Sequence, residues 1–167
     1  MLSYPRVLSA HDQFAIEGLG FRGDADGNRV FLADQLCAVL ASSPISLVAV
    51  PLLHISNGPT ELRVTVEGLA AGAYPVSMVS LEFSGPAAPL KVGAQGKLTV
   101  HVRGASEPVV VEVHNDSPRI IQFPRGNTQR VKTSGGEDNS AEIEMQMVGP
   151  GDYAVSARLI SAASVSP

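Results

Sequence analysis

Residues Asp34–Ser43 read DQLCAVLASS, and whether they form a helix or a strand decides the fold. Leu36, Val39 and Leu40 recur at helical spacing, and Asp34 stands where an N-cap belongs. The flanks say otherwise. NRVFL (28–32) and ISLVAVP (45–51) are short runs rich in β-branched and aromatic residues, and a helix between them would interrupt a sheet. The stretch is therefore expected to be a strand.

Working outward, the same reading recurs. LRVTVEG (62–68) sets Leu62, Val64 and Val66 on one side and Arg63, Thr65 and Glu67 on the other. KLTVHVRG (97–104) does so with Leu98, Val100 and Val102, and AEIEMQMVG (141–149) alternates Ile143, Met145 and Met147 with Glu142, Glu144 and Gln146. A period of two marks strands with one buried face. Sixteen glycines and twelve prolines punctuate these runs at short intervals, which predicts an all-β chain of sandwich type. The alternation breaks at SGPAAPLKVGAQG (84–96), a linker signal. Two tandem immunoglobulin-like β-sandwich domains are expected, over residues 1–86 and 87–167, each of a size a small sandwich can fill. A weak echo supports the pair: Gly72-Ala73-Tyr74-Pro75-Val76-Ser77 and Gly151-Asp152-Tyr153-Ala154-Val155-Ser156 each follow an alternating run. VGPGDYAV (148–155) has the form of a tyrosine corner, whose hydroxyl ties a connection between sheets. A turn followed by a good strand accounts for it equally.

Composition narrows the function classes. Among 167 residues 44% are hydrophobic and 17% charged, and the net charge is −4. A packed core is expected and general nucleic-acid binding is not, because phosphate contacts need a basic surface. Arg119, Arg125, Arg130 and Lys132 form only a loose basic cluster. The single cysteine, Cys37, excludes an intrachain disulfide and reads as a buried small hydrophobe. The opening MLSYPRVLSAHDQ lacks the charged head and apolar block of a signal peptide. The longest apolar stretch, 45–55, is broken by Ser46, Pro51 and His54 and falls short of the ~20 residues a membrane span needs. A soluble chain is expected, either intracellular or, if it is a piece of a longer exported protein, extracellular or at the cell surface.

From Phe14 the first half shows Ile16-Glu17-Gly18-Leu19-Gly20-Phe21 at a turn, then Val30-Phe31-Leu32. A small residue at Cys37, a serine turn at Ser42-Ser43, a strand ending Val50-Pro51, the strand ELRVTV and an edge strand YPVSMVSLEF follow. Over residues 5–85 this resembles the IPT/TIG immunoglobulin-like domain, which implies a β-sandwich. The second half is similar only in a generic way to immunoglobulin or fibronectin type III domains. If Tyr153 opens its penultimate strand, little chain remains for the last one, and an open edge would invite pairing with another chain.

Three groups of residues could carry chemistry. In RGDADGNR (22–29), Asp24, Asp26 and Asn28 have the first spacings of a calcium loop, but Arg29 stands where glycine belongs and Gln35 where glutamate belongs. A solvated Asx-rich turn is the simpler account; the alternative is a hard cation such as calcium, held weakly. Arg22-Gly23-Asp24 has the form of an adhesion triplet without supporting context. His101, Glu112 and His114 are expected on one outer sheet face, where they could form a metal triad or stand as solvated side chains. No serine sits in Gly-x-Ser-x-Gly and no phosphate loop is present. Sugar binding has thin support, with no Trp, three Tyr and five Phe. The expectation is a non-enzymatic structural or protein-interaction module of a bacterial-type surface or assembly protein, needing no cofactor. It would meet a protein partner or itself through sheet edges, and neither nucleic acid nor a membrane. A metal- or glycan-binding module is the alternative.

Overall fold

The computed structural model of the chain describes residues 3–160 and 163–165. Strands make up 57% of it, and the described residues contain no α-helix, only a 3-10 turn at Ala25–Gly27. The all-β reading therefore stands. The chain divides into two compact units, 1–80 with 161–167, and 81–160.

In the first unit the strands are β1 (Ser3–Pro5), β2 (Val7–Ser9), β3 (Phe14–Glu17), β4 (Asn28–Leu32), β5 (Gln35–Ser43), β6 (Ser46–Pro51), β7 (Gly58–Val66) and the greater part of β8 (Leu69–Ser84). They lie in the order β8-β7-β4-β5-β6-β3-β1, and β2 runs parallel to β8 with Val7 opposite Ser77. DQLCAVLASS is β5. Cys37 and Val39 belong to the core while Leu36 is exposed, so the period of two prevails over the helical spacing. Leu40, the third member of the helical set, sits at a bulge between Val39 and Ala41. Asp34 is no N-cap. It shares with Ala33 a two-residue turn between Leu32 and Gln35, both with positive φ (49° and 64°), the form that joins twisted antiparallel strands. Glu67-Gly68 repeats that turn between β7 and β8.

Ile16, Val30, Leu32, Leu47, Ala49, Leu62, Val64 and Met78 are all completely buried in one core. Phe21 joins it from the turn after β3, beyond Gly20, whose φ of +90° a side chain would strain. YPVSMVSLEF lies within β8, which is not a free edge: β7 lies on one side and β2 on the other from Ser77 to Val79.

The second unit begins inside β8, at Leu81. It adds β9 (Gln95–Arg103), β10 (Val110–Asn115), β11 (Ile121–Gln122), β12 (Thr128–Lys132), β13 (Ser140–Met147) and β14 (Val155–Ile160). One sheet has the order β11-β13-β9 with the end of β8 beside β9, and the other is β12-β10-β14. Each buries one face: Leu98, Val100, Ile143 and Met145 in the first, Val111, Val113 and Leu159 in the second. The 84–96 stretch gives a loop inside this unit, where Gly93 donates to the Met147 carbonyl at 2.7 Å. Glycine and proline mark loops within compact units as readily as between them. Beyond β14, residues Ala163–Val165 form β15, which pairs with β1 in the first unit.

Two buried asparagines fix the connections of the second unit. Asn139 donates to the carbonyls of Ala105 and Glu107, both at 2.9 Å, and accepts from the Gly135 amide at 2.9 Å. It thereby satisfies the passage by which the chain leaves β9 for the other sheet. Asn115 donates to the Ile121 carbonyl at 2.7 Å and accepts from Ser117 at 2.9 Å.

Candidate functional site

The Asp24–Asn28 loop is a structural corner. Asn28 is buried, its Oδ1 accepts the Arg22 amide at 3.0 Å, and its Nδ2 donates to the carbonyls of Arg22 and Asp24 and to Ser42 Oγ. The side-chain oxygen a cation would need is already engaged. Arg22 packs over Gly27, where a Cβ would come within 2.8 Å of its Cγ, and pairs with Glu67 at 2.8 Å. The Arg-Gly-Asp triplet is thus tied back to the turn.

The three residues of the expected metal triad do not share a face. His101 stands on β9 in one sheet, and Glu112 and His114 stand on β10 in the other. The expectation took β9 and β10 as adjacent, but the connection between them crosses from sheet to sheet. His101 Nε2 lies 2.8 Å from Ser84 Oγ, and His114 Nδ1 lies 2.8 Å from Thr128 Oγ1. Glu112 sits between two arginines, accepting from Arg130 Nε at 2.9 Å and Arg158 Nε at 2.7 Å. Those hydrogen bonds, Arg130's first, hold its carboxyl below the usual carboxylate range. Among the described residues no three of His, Cys, Asp and Glu stand close enough to hold a metal ion.

A hollow of about 510 Å³ lies on the β9-β13 side and includes Lys97, Gln122, Phe123, Glu144 and Met145 in its lining. Lys97 donates to Glu142 at 2.7 Å, and that bond raises its pKa, so it stays a fixed cation rather than a base. The lining includes no histidine, cysteine or serine. Cys37 is buried, and burial pushes its thiol up to about 11, partly offset by a hydrogen bond with the Leu32 backbone.

The feature with chemistry to offer is a backbone. Strand β10 is central, with β12 and β14 at its sides. The Asp116 amide donates to the Ala154 carbonyl at 3.1 Å, just before β14 begins. Hydrogen-bonded pairs in an antiparallel ladder recur at every second residue. With Asp116 and Ala154 as one such pair, the register His114–Ser156, Glu112–Arg158 and Val110–Ile160 supplies the rest. Val155, Ala157 and Leu159 therefore turn their N–H and C=O groups away from β10. On the other flank the Thr133 amide donates to Val109, which sends the free backbone groups of β12 to Thr128, Arg130 and Lys132.

The two edges differ in their guard. β12 carries Arg130 and Lys132 where its backbone is free, a charged edge that discourages pairing. β14 has no lysine, proline or bulge, and its one charge, Arg158, is held against Glu112. Among the described residues no strand pairs with its outer side. The loop at Tyr153 leads into it, and the Tyr153 hydroxyl comes within 3.0 Å of where a Cβ on Gly85 would be. The sequence reading tied an open edge to a missing last strand after Tyr153; in the structure the strand that follows Tyr153, β14, is itself the outer one, and the register determines which residues it presents.

No family model matches the chain, and no curated protein does. Among solved structures it is similar to a structural-genomics protein of unknown function from Bacteroides thetaiotaomicron, at 12% identity and a TM-score of 0.40, over 83% of this chain and 36% of that one. It is also similar to the Yersinia pseudotuberculosis adhesin InvE, at 14% identity and a TM-score of 0.31, over 96% of this chain and 59% of that one. The chain thus spans less than two thirds of either structure's length, and neither likeness bears on function.

Proposed function

We propose that this chain is a non-enzymatic structural or protein-interaction module built from two immunoglobulin-like β-sandwich units, the first of IPT/TIG type. Its working surface is the outer edge of β14, which takes up an extended segment of a protein partner as an added strand. One observation carries this reading: Val155, Ala157 and Leu159 turn unpaired backbone groups outward along a strand that lacks the usual guards. Strand addition draws affinity from such main-chain groups and specificity from alternate side chains. The IPT/TIG element rests on the buried Phe21 after Gly20 and on β6 closing at Val50-Pro51.

Hydrogen exchange on the full chain tests it. The amides of Val155, Ala157 and Leu159 should exchange at least ~100-fold faster than those of Ser156, Arg158 and Ile160. Extended peptides selected from a displayed library against the chain should slow the first set alone. Ala157→Pro removes an outward N–H without touching the ladder to β10 and should abolish that binding. Uniform protection along β14 in the free chain, or selected peptides that bind Ala157→Pro equally well, would overturn the reading.

A further inference from the structure

The sheet β12-β10-β14 turns a row of charges outward. At the level of Glu112 the register runs Arg130, Glu112, Arg158 across the three strands. Glu112 accepts from both arginines, and its side chain is only 13% exposed, whereas that of Arg158 is 65% exposed. One carboxylate thus answers two guanidiniums, and the row ends on a cation at the open edge. The next level holds Lys132, Val110 and Ile160, with no acid, and the level on the other side holds Thr128, His114 and Ser156. Asp116, just past the end of β10, lies 3.7 Å from His114. Within the strands this face therefore sets Arg130, Lys132 and Arg158 against Glu112 alone.

We infer that the partner segment taken up by β14 is acidic: it adds antiparallel to the strand and sets an aspartate or glutamate opposite Arg158, with apolar residues before and after it. The inference rests on the strand addition proposed for this edge. Both existing pairs of the sheet are antiparallel, and that form is the more stable per residue. Because Val155, Ala157 and Leu159 present the free backbone groups, Arg158 meets the added strand in a non-hydrogen-bonded pair. The Cα atoms of such a pair are about 4.5 Å apart and its side chains are at their closest. A carboxylate there continues the alternation of sign by one strand, while a lysine or arginine would stand directly opposite a like charge. The residues on either side of the acid fall opposite Ala157 and Leu159, which are half-buried and buried on the core side of β14. Apolar side chains suit those two positions. The far edge of the sheet holds an acid less closely. On β12 the free backbone groups belong to Arg130 itself, so a residue opposite it would sit in a hydrogen-bonded pair, about 5.5 Å away.

Peptide display on the full chain, followed by binding of the selected peptides at ~50 mM salt, where screening is weak, tests this. Sequences selected on the wild type should carry Asp or Glu at one fixed position, at least about threefold above the starting library. Replacing that acid by its amide should weaken binding about threefold on the wild type but less than about 1.5-fold on Arg158→Gln. Arg158→Glu should turn the preference at the same position to Lys and Arg. Arg130→Gln, two strands away, should leave the effect of the acid in place. Both arginines are exposed, so all three variants should melt within a few degrees of the wild type. Peptides that lose binding with Ala157→Pro yet show no acidic position would overturn this inference and leave the edge reading standing. Peptides indifferent to Ala157→Pro would overturn the edge reading and the inference with it. An acid whose effect follows Arg130 instead of Arg158 would place the segment on β12 and overturn it too.

Discussion

Asn28 holds Arg22 as a neighbouring strand would, accepting its amide at 3.0 Å and donating to its carbonyl at 2.9 Å through one side-chain amide. The turn after β3 is closed by that pair. Asn28→Ala leaves the Arg22 amide and the Asp24 carbonyl without their side-chain partner at a buried position, while Ser42 Oγ still donates to the Arg22 carbonyl, at a cost of about 1–3 kcal/mol. Asn28→Asp should cost more at neutral pH, because a carboxylate oxygen would face two carbonyls in place of the donating nitrogen. Thermal melts of both variants should rank wild type above Ala and Ala above Asp.

Calcium should have little effect. With Asn28 Oδ1 committed to Arg22, the loop offers only Asp24 and Asp26. Addition of millimolar calcium should move the melting temperature by less than ~1 °C, whereas a bound cation would raise it with concentration. A rise of several degrees would show that the loop reorganises around the ion.

Cys37 should be inert in the native state. Its thiol is raised to about 11 by burial, against ~8.5 in an unfolded chain. Iodoacetamide at pH 8 should modify it only as fast as the first unit opens, and fully in denaturant. A raised thiol pKa contributes stability that is complete below the unfolded value and is lost as pH climbs through the folded one. Alkaline melts should therefore fall between about pH 9 and 11, and Cys37→Ala should remove that part of the decline.

Glu112 behaves oppositely. Held low by Arg130 and Arg158, it contributes stability that is present above its unfolded value and is lost as pH falls through the depressed one. The gap in melting temperature between wild type and Glu112→Gln should be at most a few degrees at pH 7, shrink in high salt, and close in acid.

The parts of the fold legible in the sequence are those where a period of two met a wet outer face. β7, β9 and β13 fall where alternation placed them, and β5 is a strand despite its helical spacing. Two features were less legible. β8 runs on to Ser84 although Pro75 reads as an edge residue, because β2 pairs only from Ser77 onward. The crossing from β9 to β10 depends on Asn139, far along the chain, and without it His101 and His114 look like neighbours. At β14 the sequence suggested a free edge, while the choice of Val155, Ala157 and Leu159 required the register.

The pairing of β15 with β1 also orders events during synthesis. Ser3–Pro5 are synthesised well before Ala163–Val165, so a nascent chain can complete the ladders of 81–160 before the first unit receives β15. The strands of 81–160 are thus made between the opening of the first unit and its closure.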